Sequence, residues 1–403
     1  MKIAHISTAS TGGAGIAAFR LHSGLRNKEN IDSVFLQQYN TTSDDKSVYT
    51  ILPDTSLLSR IKGRFERNPE ALNHKNVPTY MSSSYEIATF PTTSYRIEKS
   101  NLINDADIIN LHWVAEFINY PTFFKKIKKP IVWTLHDMNP FQGIFHYEED
   151  AILNKEKLGR IDREVYLQKL KAIHKSNNIH IVCLCEWMKE KSENSEILGR
   201  YPHYIIPNGM PSSQFQGLNH LEEKEKINLN NGKKTLLFIS SGLDIRRKGF
   251  DLLLQAINQI DPDKFNLLTV GGEEIDLIKK VNHRHYPQIS DTQELNKLYT
   301  AADITIIPSR EDNLPNVMIE SFANGTPVMS FNNGGMAEHI KTGTNGVLIT
   351  DISQEALSQN INDFLNNKYT FDRNIIRNYA KNTFSDTIQT EKYIELYKSI
   401  LNK

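Results

Sequence analysis

The sequence predicts an α/β fold of two doubly wound domains in tandem. Three observations predict it. Short apolar runs alternate with segments of helical period, and that alternation implies parallel sheets built from right-handed crossovers. The alternation begins again in the second half of the chain. The length, 403 residues, suits two domains of roughly 100–200 residues each.

Element by element, "KIAHIS" reads as a strand, Gly12-Gly13 as a turn and "AGIAAFRLHSGL" as a helix. "SVFLQQY", "DIINLHW", "PIVWTLHD", "IHIVCLCE" and "HYIIPNG" read as buried strands with helices between most of them. Residues about 40–100 carry no clear pattern and are read as a variable insertion. The charged, Asn-rich "GLNHLEEKEKINLNNGKK" is read as the separator of the halves, with the boundary near residues 210–218. Beyond it, "KTLLFISSG", "FNLLTVGG", "ITIIPS", "PVMSFN" and "GVLIT" are strands, and "GFDLLLQAINQI", "DTQELNKLYTAA" and "LPNVMIESFA" are helices. The domains are placed at 1–212 and 213–383, and the amphipathic "TIQTEKYIELYKSIL" lies past the last strand. Such sheets bind ligands at the carboxyl ends of their strands, and two facing domains are expected to enclose a cleft.

Composition narrows the function. Lys+Arg and Asp+Glu both total 47, which argues against a dedicated nucleic-acid binder. Basic residues cluster at Arg60, Lys62, Arg64 and Arg67, and again at Lys125, Lys126, Lys128 and Lys129. Such runs are either solvated faces or contacts for an anionic membrane surface or a phosphate-bearing acceptor. The two cysteines, Cys183 and Cys185, fall on one face by strand alternation. Two thiols build neither a zinc site nor a disulfide framework, and they read as buried and inert in a reducing compartment. "MKIAHIS" is too short for a signal-peptide core, and no run of about 18 apolar residues occurs. A cytoplasmic protein is expected, with peripheral contact at the inner membrane face through the basic clusters.

The segment "REDNLPNVMIESFANG" carries the most chemistry. Pro315 suits a first helical turn and Gly325 the residue past a helix end, so "PNVMIESFA" is a helix and "REDNL" the loop ahead of it. The loop follows the strand "ITIIPS" and sits at a carboxyl end, where the helix's leading N–H groups can take a phosphate. Glu320 lies about 7.5 Å further along at 1.5 Å per residue, close to the span from a diphosphate to a ribose. Glu320 would then accept from ribose hydroxyls while Asp312 reaches a sugar beyond the diphosphate. The competing reading is that Asp312 and Asn313 cap the helix and Glu320 faces water.

"PSREDNLPNVMIESFANGTPV" resembles the paired-acid motif of glycosyltransferase family 4, the retaining GT-B enzymes. The likeness continues through "TGGAGIAAFRLHSGL", "IVWTLHDMNPFQG", "IIPNGM", "RRKGFDLLLQAI" and "FNNGGMAEHI", in the family's order. Two departures stand out. The family usually has Glu at both acid positions, and here the first is Asp312. It usually pairs its lysine, here Lys248, with an arginine six positions earlier, where this chain has Gly242; Arg246 or Arg247 is the candidate substitute. The resemblance implies a GT-B fold with 384–403 crossing back to the first domain. It also implies a retaining transfer from a nucleotide-sugar donor to a glycan or lipid-linked acceptor, in polysaccharide assembly, with no metal or other cofactor. By the same resemblance His136 contacts the donor sugar near the anomeric centre; Asp137 beside it is read only as orienting the loop. A cation at Lys248 offsets charge building on the diphosphate. Gly13, Arg247, Asn313, Leu314, Pro315 and Asn316 complete the donor site; Gly12, His112 and Trp113 are weaker acceptor candidates, with Trp113 equally a core residue.

Three other readings stay open: a GT-B epimerase, a non-catalytic sugar-nucleotide binder, and an NAD-dependent oxidoreductase. The last arises because Gly12, Gly13 and Gly15 fit G-x-G-x-x-A through Ala18, but the fingerprint wants an acid ending the second strand, and Gln37-Gln38 stand there. Asp261-Pro262-Asp263 matches a D-x-D metal motif but precedes a strand and reads as a turn.

Overall fold

The computed structural model describes residues 1–39, 45–56, 85–215, 217–273 and 281–402. The arginine-rich cluster at Arg60–Arg67 lies outside them. The chain forms two compact units, Met1–Pro207 with Gln389–Lys403, and Asn208–Ile388.

Among the described residues, the first unit's sheet has strands β1 (Lys2–Ile6), β2 (Asp32–Gln37), β3 (Val48–Thr50), β4 (Ile108–Leu111), β5 (Ile131–Leu135), β6 (Ile179–Cys183) and β7 (His203–Ile205). They lie in the order β3-β2-β1-β4-β5-β6-β7, every pairing parallel. β5 reads IVWTL with every residue buried, the unbroken apolar pattern of a parallel strand covered on both faces. One face packs Trp133, Ile181 and Leu111 against Tyr120, Phe123 and Phe124 of the helix Tyr120–Lys126. The other packs Ile3, Val132 and Val182 against Leu21 and Leu25 of the helix Gly12–Arg26, and against Tyr393, Leu396 and Tyr397. Those last three come from the final helix, Asp386–Leu401. Two hydrogen bonds anchor it: Asn110 Nδ2 donates to the Tyr397 hydroxyl at 2.9 Å, and the Thr134 and Tyr393 hydroxyls meet at 2.8 Å.

The second unit repeats the arrangement with β8 (Lys234–Ile239), β9 (Phe265–Val270), β10 (Asn282–Tyr286), β11 (Ile304–Ile307), β12 (Val328–Phe331) and β13 (Gly346–Ile349). The order is β10-β9-β8-β11-β12-β13, again parallel. Both sheets reverse their winding once, between β1 and β4 and between β8 and β11. Loops leaving the carboxyl ends there splay apart and leave room for a ligand.

Some sequence readings change. The "GLNHLEEKEKINLNNGKK" stretch is part of the second unit, not a separator. Asn219 caps the helix His220–Lys226, and His220 and Lys224 reach Asp303 at 3.1 and 2.8 Å. Its polar composition reflects ion pairing rather than a loop. The junction lies a few residues before 212, because Met210 N donates to Phe384 O and Asp386 N to Met210 O, tying 208–215 into the second unit. β3 and β10 escape the sequence reading because both are short edge strands, and edge strands need no apolar run. Cys183 ends β6 while Cys185 sits just before the helix Glu186–Glu193; both are free thiols buried in one cluster. Burial pushes the Cys183 thiol up. Among the described residues no helix is long and apolar enough to cross a membrane.

Tyr397→Phe keeps the ring but strands the buried Asn110 amide. We expect a loss of about 1–3 kcal/mol in urea denaturation, with the slope unchanged.

Candidate active site

The second unit gathers charge at its switch point. The loop after β8 carries Arg246, Arg247 and Lys248 in one 3₁₀ turn, and the loop after β11 carries Asp312. Lys248 Nζ donates to Asp312 Oδ2 at 2.7 Å, Arg247 Nη1 lies 3.3 Å from the same oxygen, and the Ser309 hydroxyl donates to it at 3.4 Å. Asp312 is buried. Burial alone would raise its pKa; Lys248 and Arg247 beside it reverse that and hold the carboxyl below the usual carboxylate range. Arg247 is buried and also donates to Glu311 O at 3.0 Å, whereas Arg246 is exposed. The second cation therefore comes from Arg247, beside the lysine, and not from the Gly242 position.

Three devices fix this pairing. Arg310 donates through both terminal nitrogens to Asp251, at 2.7 and 2.6 Å, stapling the β11 loop to the helix Phe250–Ile257. Gly249 adopts φ +71°, and a Cβ there would overlap Pro308 O, so only glycine lets the two loops approach this closely. From the loop after β12, Gly335 N donates to Asn313 O at 2.6 Å, and Asn333 Nδ2 donates to Ser309 O and Arg310 O at 3.0 and 2.9 Å.

The helix that follows spans Asn316–Ala323. Pro315 is its N-cap residue, in extended backbone, rather than a member of its first turn. Pro315 at the N-cap position has no side-chain hydrogen bond of its own to give this N-terminus. Asp312 lies on the cations and also accepts from Asn313 N, and Asn313 is buried with its carbonyl on Gly335. A helix N-terminus carries a partial positive charge that favours an anion. Leu314 is buried beside it, and Asn316 Oδ1 accepts from Asn208 Nδ2 at 3.2 Å. Glu320 is half-buried and accepts from the Tyr299 hydroxyl at 3.0 Å. It is held in place rather than waving in water.

The first unit presents a neutral counterpart at its own switch point. His112 follows β4 and His136 follows β5; His5 lies within β1. His112 is 2% exposed and its Nδ1 lies 3.3 Å from His136 Nε2. A buried ring has no surface to offer an acceptor, which corrects the acceptor reading of His112. Trp113 is half-buried, and its Nε1 donates to Asp137 Oδ2 at 2.7 Å. Asp137 also takes His146 Nδ1 at 2.6 Å and Asn139 N at 3.0 Å. Burial pushes Asp137 up, and His146 with these donors brings it below its ordinary value. Burial lowers His136 to about 4 against the opposing pull of Asp137. Gly12 and Gly13 lie exposed at the uncapped start of the helix Gly12–Arg26, while a Cβ on Gly15 would crowd Ala9.

Sequence reasoning missed the scaffold of the 137–146 loop. Lys169, fully buried on the helix Lys155–Ile173, donates to Asn139 O and Gly143 O, both at 2.6 Å, and to Asn139 Oδ1 at 3.0 Å. Asp162 on the same helix accepts from Ile144 N at 2.8 Å. Nothing local in "REVYLQKLKAI" distinguishes Lys169 from a solvated helix lysine. His5 was missed for the same reason, as a lone histidine in an apolar strand. The D-x-D segment is a turn: Asp261 accepts from Asp263 N and β9 follows. Among the described residues no cluster of His, Cys, Asp or Glu could hold a metal ion. In the Lys125–Lys129 run, Lys129 is held by Asn104 O and Ala106 O, and Lys126 lies 3.6 Å from Glu98. Two of the four charges thus have internal partners.

Residues 220–383 match the family described as "Glycosyl transferases group 1". A lipopolysaccharide core biosynthesis glycosyltransferase from Rhizobium meliloti, LpsE, is 26% identical over 46% of this chain and 57% of its own length. The chain spans about half the length of the curated relatives it matches. Among solved structures, sucrose-phosphate synthase from Thermosynechococcus elongatus superposes with a TM-score of 0.70 at 17% identity, covering 100% of this chain and 99% of that one. HepE from Anabaena, solved in complex with UDP-glucose, gives a TM-score of 0.64 at 16% identity, covering 99% of this chain and 100% of that one. The fold is that of the GT-B glycosyltransferases.

The buried imidazoles set a pH dependence. Burial lowers His5, His22, His112 and His136, the second and fourth to about 4. Below about pH 6.5 the unfolded chain therefore binds protons that the native one refuses, and stability falls as pH falls. Each such histidine contributes about 1.4 kcal/mol per pH unit between roughly 6 and its native value. Urea denaturation at pH 7.5 and 5.5 should show the loss; equal stability at both would contradict it.

Proposed function

We propose that this chain is a glycosyltransferase that moves a sugar from a nucleotide-sugar donor to a glycan or lipid-linked saccharide acceptor, in surface polysaccharide assembly. One observation carries the proposal: at the β8/β11 switch point two cations, Arg247 and Lys248, converge on Asp312 directly ahead of the N-terminus of a helix whose next turns bear Glu320. That is a diphosphate site with an acid on either side. The match of residues 220–383 to group 1 glycosyl transferases falls on this unit, and the UDP-glucose complex of the structural neighbour HepE supports the donor class.

In this reading the diphosphate docks against the leading N–H groups of the helix Asn316–Ala323, near Leu314 and Asn316. Lys248 and Arg247 stabilise the charge that grows on the leaving group as the glycosidic bond breaks. Glu320, pre-aimed by Tyr299, accepts from the ribose hydroxyls. Asp312 and His136 position the sugar, and Gly13 N–H assists. His136 is neutral at pH 7, suited to hydrogen bonding with a hydroxyl rather than to pairing with a phosphate. We assign retention of anomeric configuration through an oxocarbenium-like state, with the acceptor attacking the face from which the diphosphate leaves. No metal takes part, since the lysine–arginine pair supplies the positive charge that a metal would otherwise bring to the diphosphate.

A thermal-shift panel of UDP-, GDP- and ADP-sugars should raise the melting temperature with one of them. With that donor, Lys248→Ala and Glu320→Ala should each cut transfer about 100-fold or more without loss of fold. Wild-type rates in both variants would end the proposal. Activity should survive EDTA, and NMR of the product should show the donor's anomeric configuration.

A further inference from the structure

The Asp312 carboxylate is fully engaged within its own unit. Lys248 Nζ donates to its Oδ2 at 2.7 Å, Arg247 Nη1 lies 3.3 Å from that oxygen, and the Ser309 hydroxyl donates to it at 3.4 Å. Asn313 N donates to the same carboxyl group. An ionised carboxylate offers about four lone-pair sites, and four donors meet this one. The residue is also 6% exposed. A sugar hydroxyl arriving here finds little surface and no lone pair without a donor.

We propose that Asp312 is a positioning residue and internal counter-ion of the diphosphate site: it aims Lys248 and Arg247, cancels one of their two charges, and so lets a spent nucleoside diphosphate leave. This deepens the function proposed above and rests on it for the diphosphate. Asp312 then places the sugar at one remove, through the cations, and not by a hydrogen bond to a sugar hydroxyl.

The charges around the site support this. Arg310 is spent on Asp251, at 2.7 and 2.6 Å, and Arg246 is exposed. Arg247 and Lys248 are the cations that meet at Asp312. Arg247 is buried, so its charge needs compensation close by. Two cations less one carboxylate leave a single net positive charge facing the ligand. A site with both cations uncompensated would hold a diphosphate more tightly and release it more slowly, and product release sets the turnover of many enzymes.

Asp312 has no reason to let go when a phosphate binds. The lysine ammonium carries three N–H donors, and one serves Asp312. The Lys248 side chain is 22% exposed, against 9% for Asp312. Lys248 therefore holds the carboxylate on its inner side and has its outer side for a phosphate oxygen. Trading Asp312 for the phosphate would instead strand a buried carboxylate without its cation, which is a costly arrangement. The loops are also clamped on both sides, by Gly249 against Pro308 and Arg310 on Asp251.

The counter-ion role and a direct sugar contact predict opposite signs. Coulomb attraction acts on every anion in the site, so removing the carboxylate's charge tightens binding of any diphosphate. Losing a sugar contact would weaken only ligands that carry the sugar. The test is isothermal titration calorimetry of the full chain with inorganic pyrophosphate, and with the nucleoside diphosphate of the donor found by thermal shift. Asp312→Asn keeps the shape and removes the charge, and it should bind both ligands about 10-fold more tightly than the wild type. The same diphosphate should inhibit turnover by Asp312→Asn more strongly. Unchanged, weaker or absent pyrophosphate binding in folded Asp312→Asn overturns the proposal, as does a weakening confined to the nucleotide-sugar. Where Asp312→Asn is unfolded alone, millimolar pyrophosphate should refold it by supplying the missing negative charge, and failure to refold overturns the proposal as well. A wild type that turns over no nucleotide-sugar would remove the function proposed above, while the pyrophosphate titrations still judge the counter-ion.

Discussion

The buried carboxylate of Asp312 is the constraint around which the second unit is organised. An ionised carboxyl away from water must be compensated by nearby cations and donors, and the chain brings Lys248, Arg247 and Ser309 to a single oxygen. Those partners come from loops distant in sequence, so the loops themselves must be clamped. Arg310 on Asp251, Gly249 against Pro308 and Gly335 on Asn313 do this. The result is a clamped pair of cations ahead of a helix N-terminus.

The two units solve the same topological problem with opposite electrostatics. Both sheets reverse winding once, and both place their chemistry at the carboxyl ends of the strands flanking the reversal. The second unit collects charge there and balances it internally. The first collects imidazoles that desolvation keeps neutral, and the buried Asp137 beside them is tied to His146, Trp113 and Asn139. A charged site suits a diphosphate and a neutral polar one suits hydroxyls, in keeping with the division of labour proposed for a nucleotide-sugar.

Much of the fold was legible because parallel strands covered on both faces read as unbroken apolar runs, as in "IVWTL" and "FNLLTV". The edge strands Val48–Thr50 and Asn282–Tyr286 were not, since an edge strand is partly solvated and carries no such run. The capped helix at His220 was mistaken for a separator because charge density alone does not distinguish a solvated tether from a helix whose His220 and Lys224 converge on Asp303. The paired acids and Lys248 were visible because loop, proline and helix follow one another locally.

By itself the sequence determined the layered α/β plan and the helix that begins after Pro315, because these depend on periodicity and short-range backbone chemistry. Tertiary structure alone decided that Arg247 and Lys248 meet on Asp312 and that His112 is an interior ring. It also brought His5 and Lys169 into the site's support. Each of those outcomes turns on which strands are neighbours in the sheet, and neighbour order is a matter of global topology that no stretch of residues encodes.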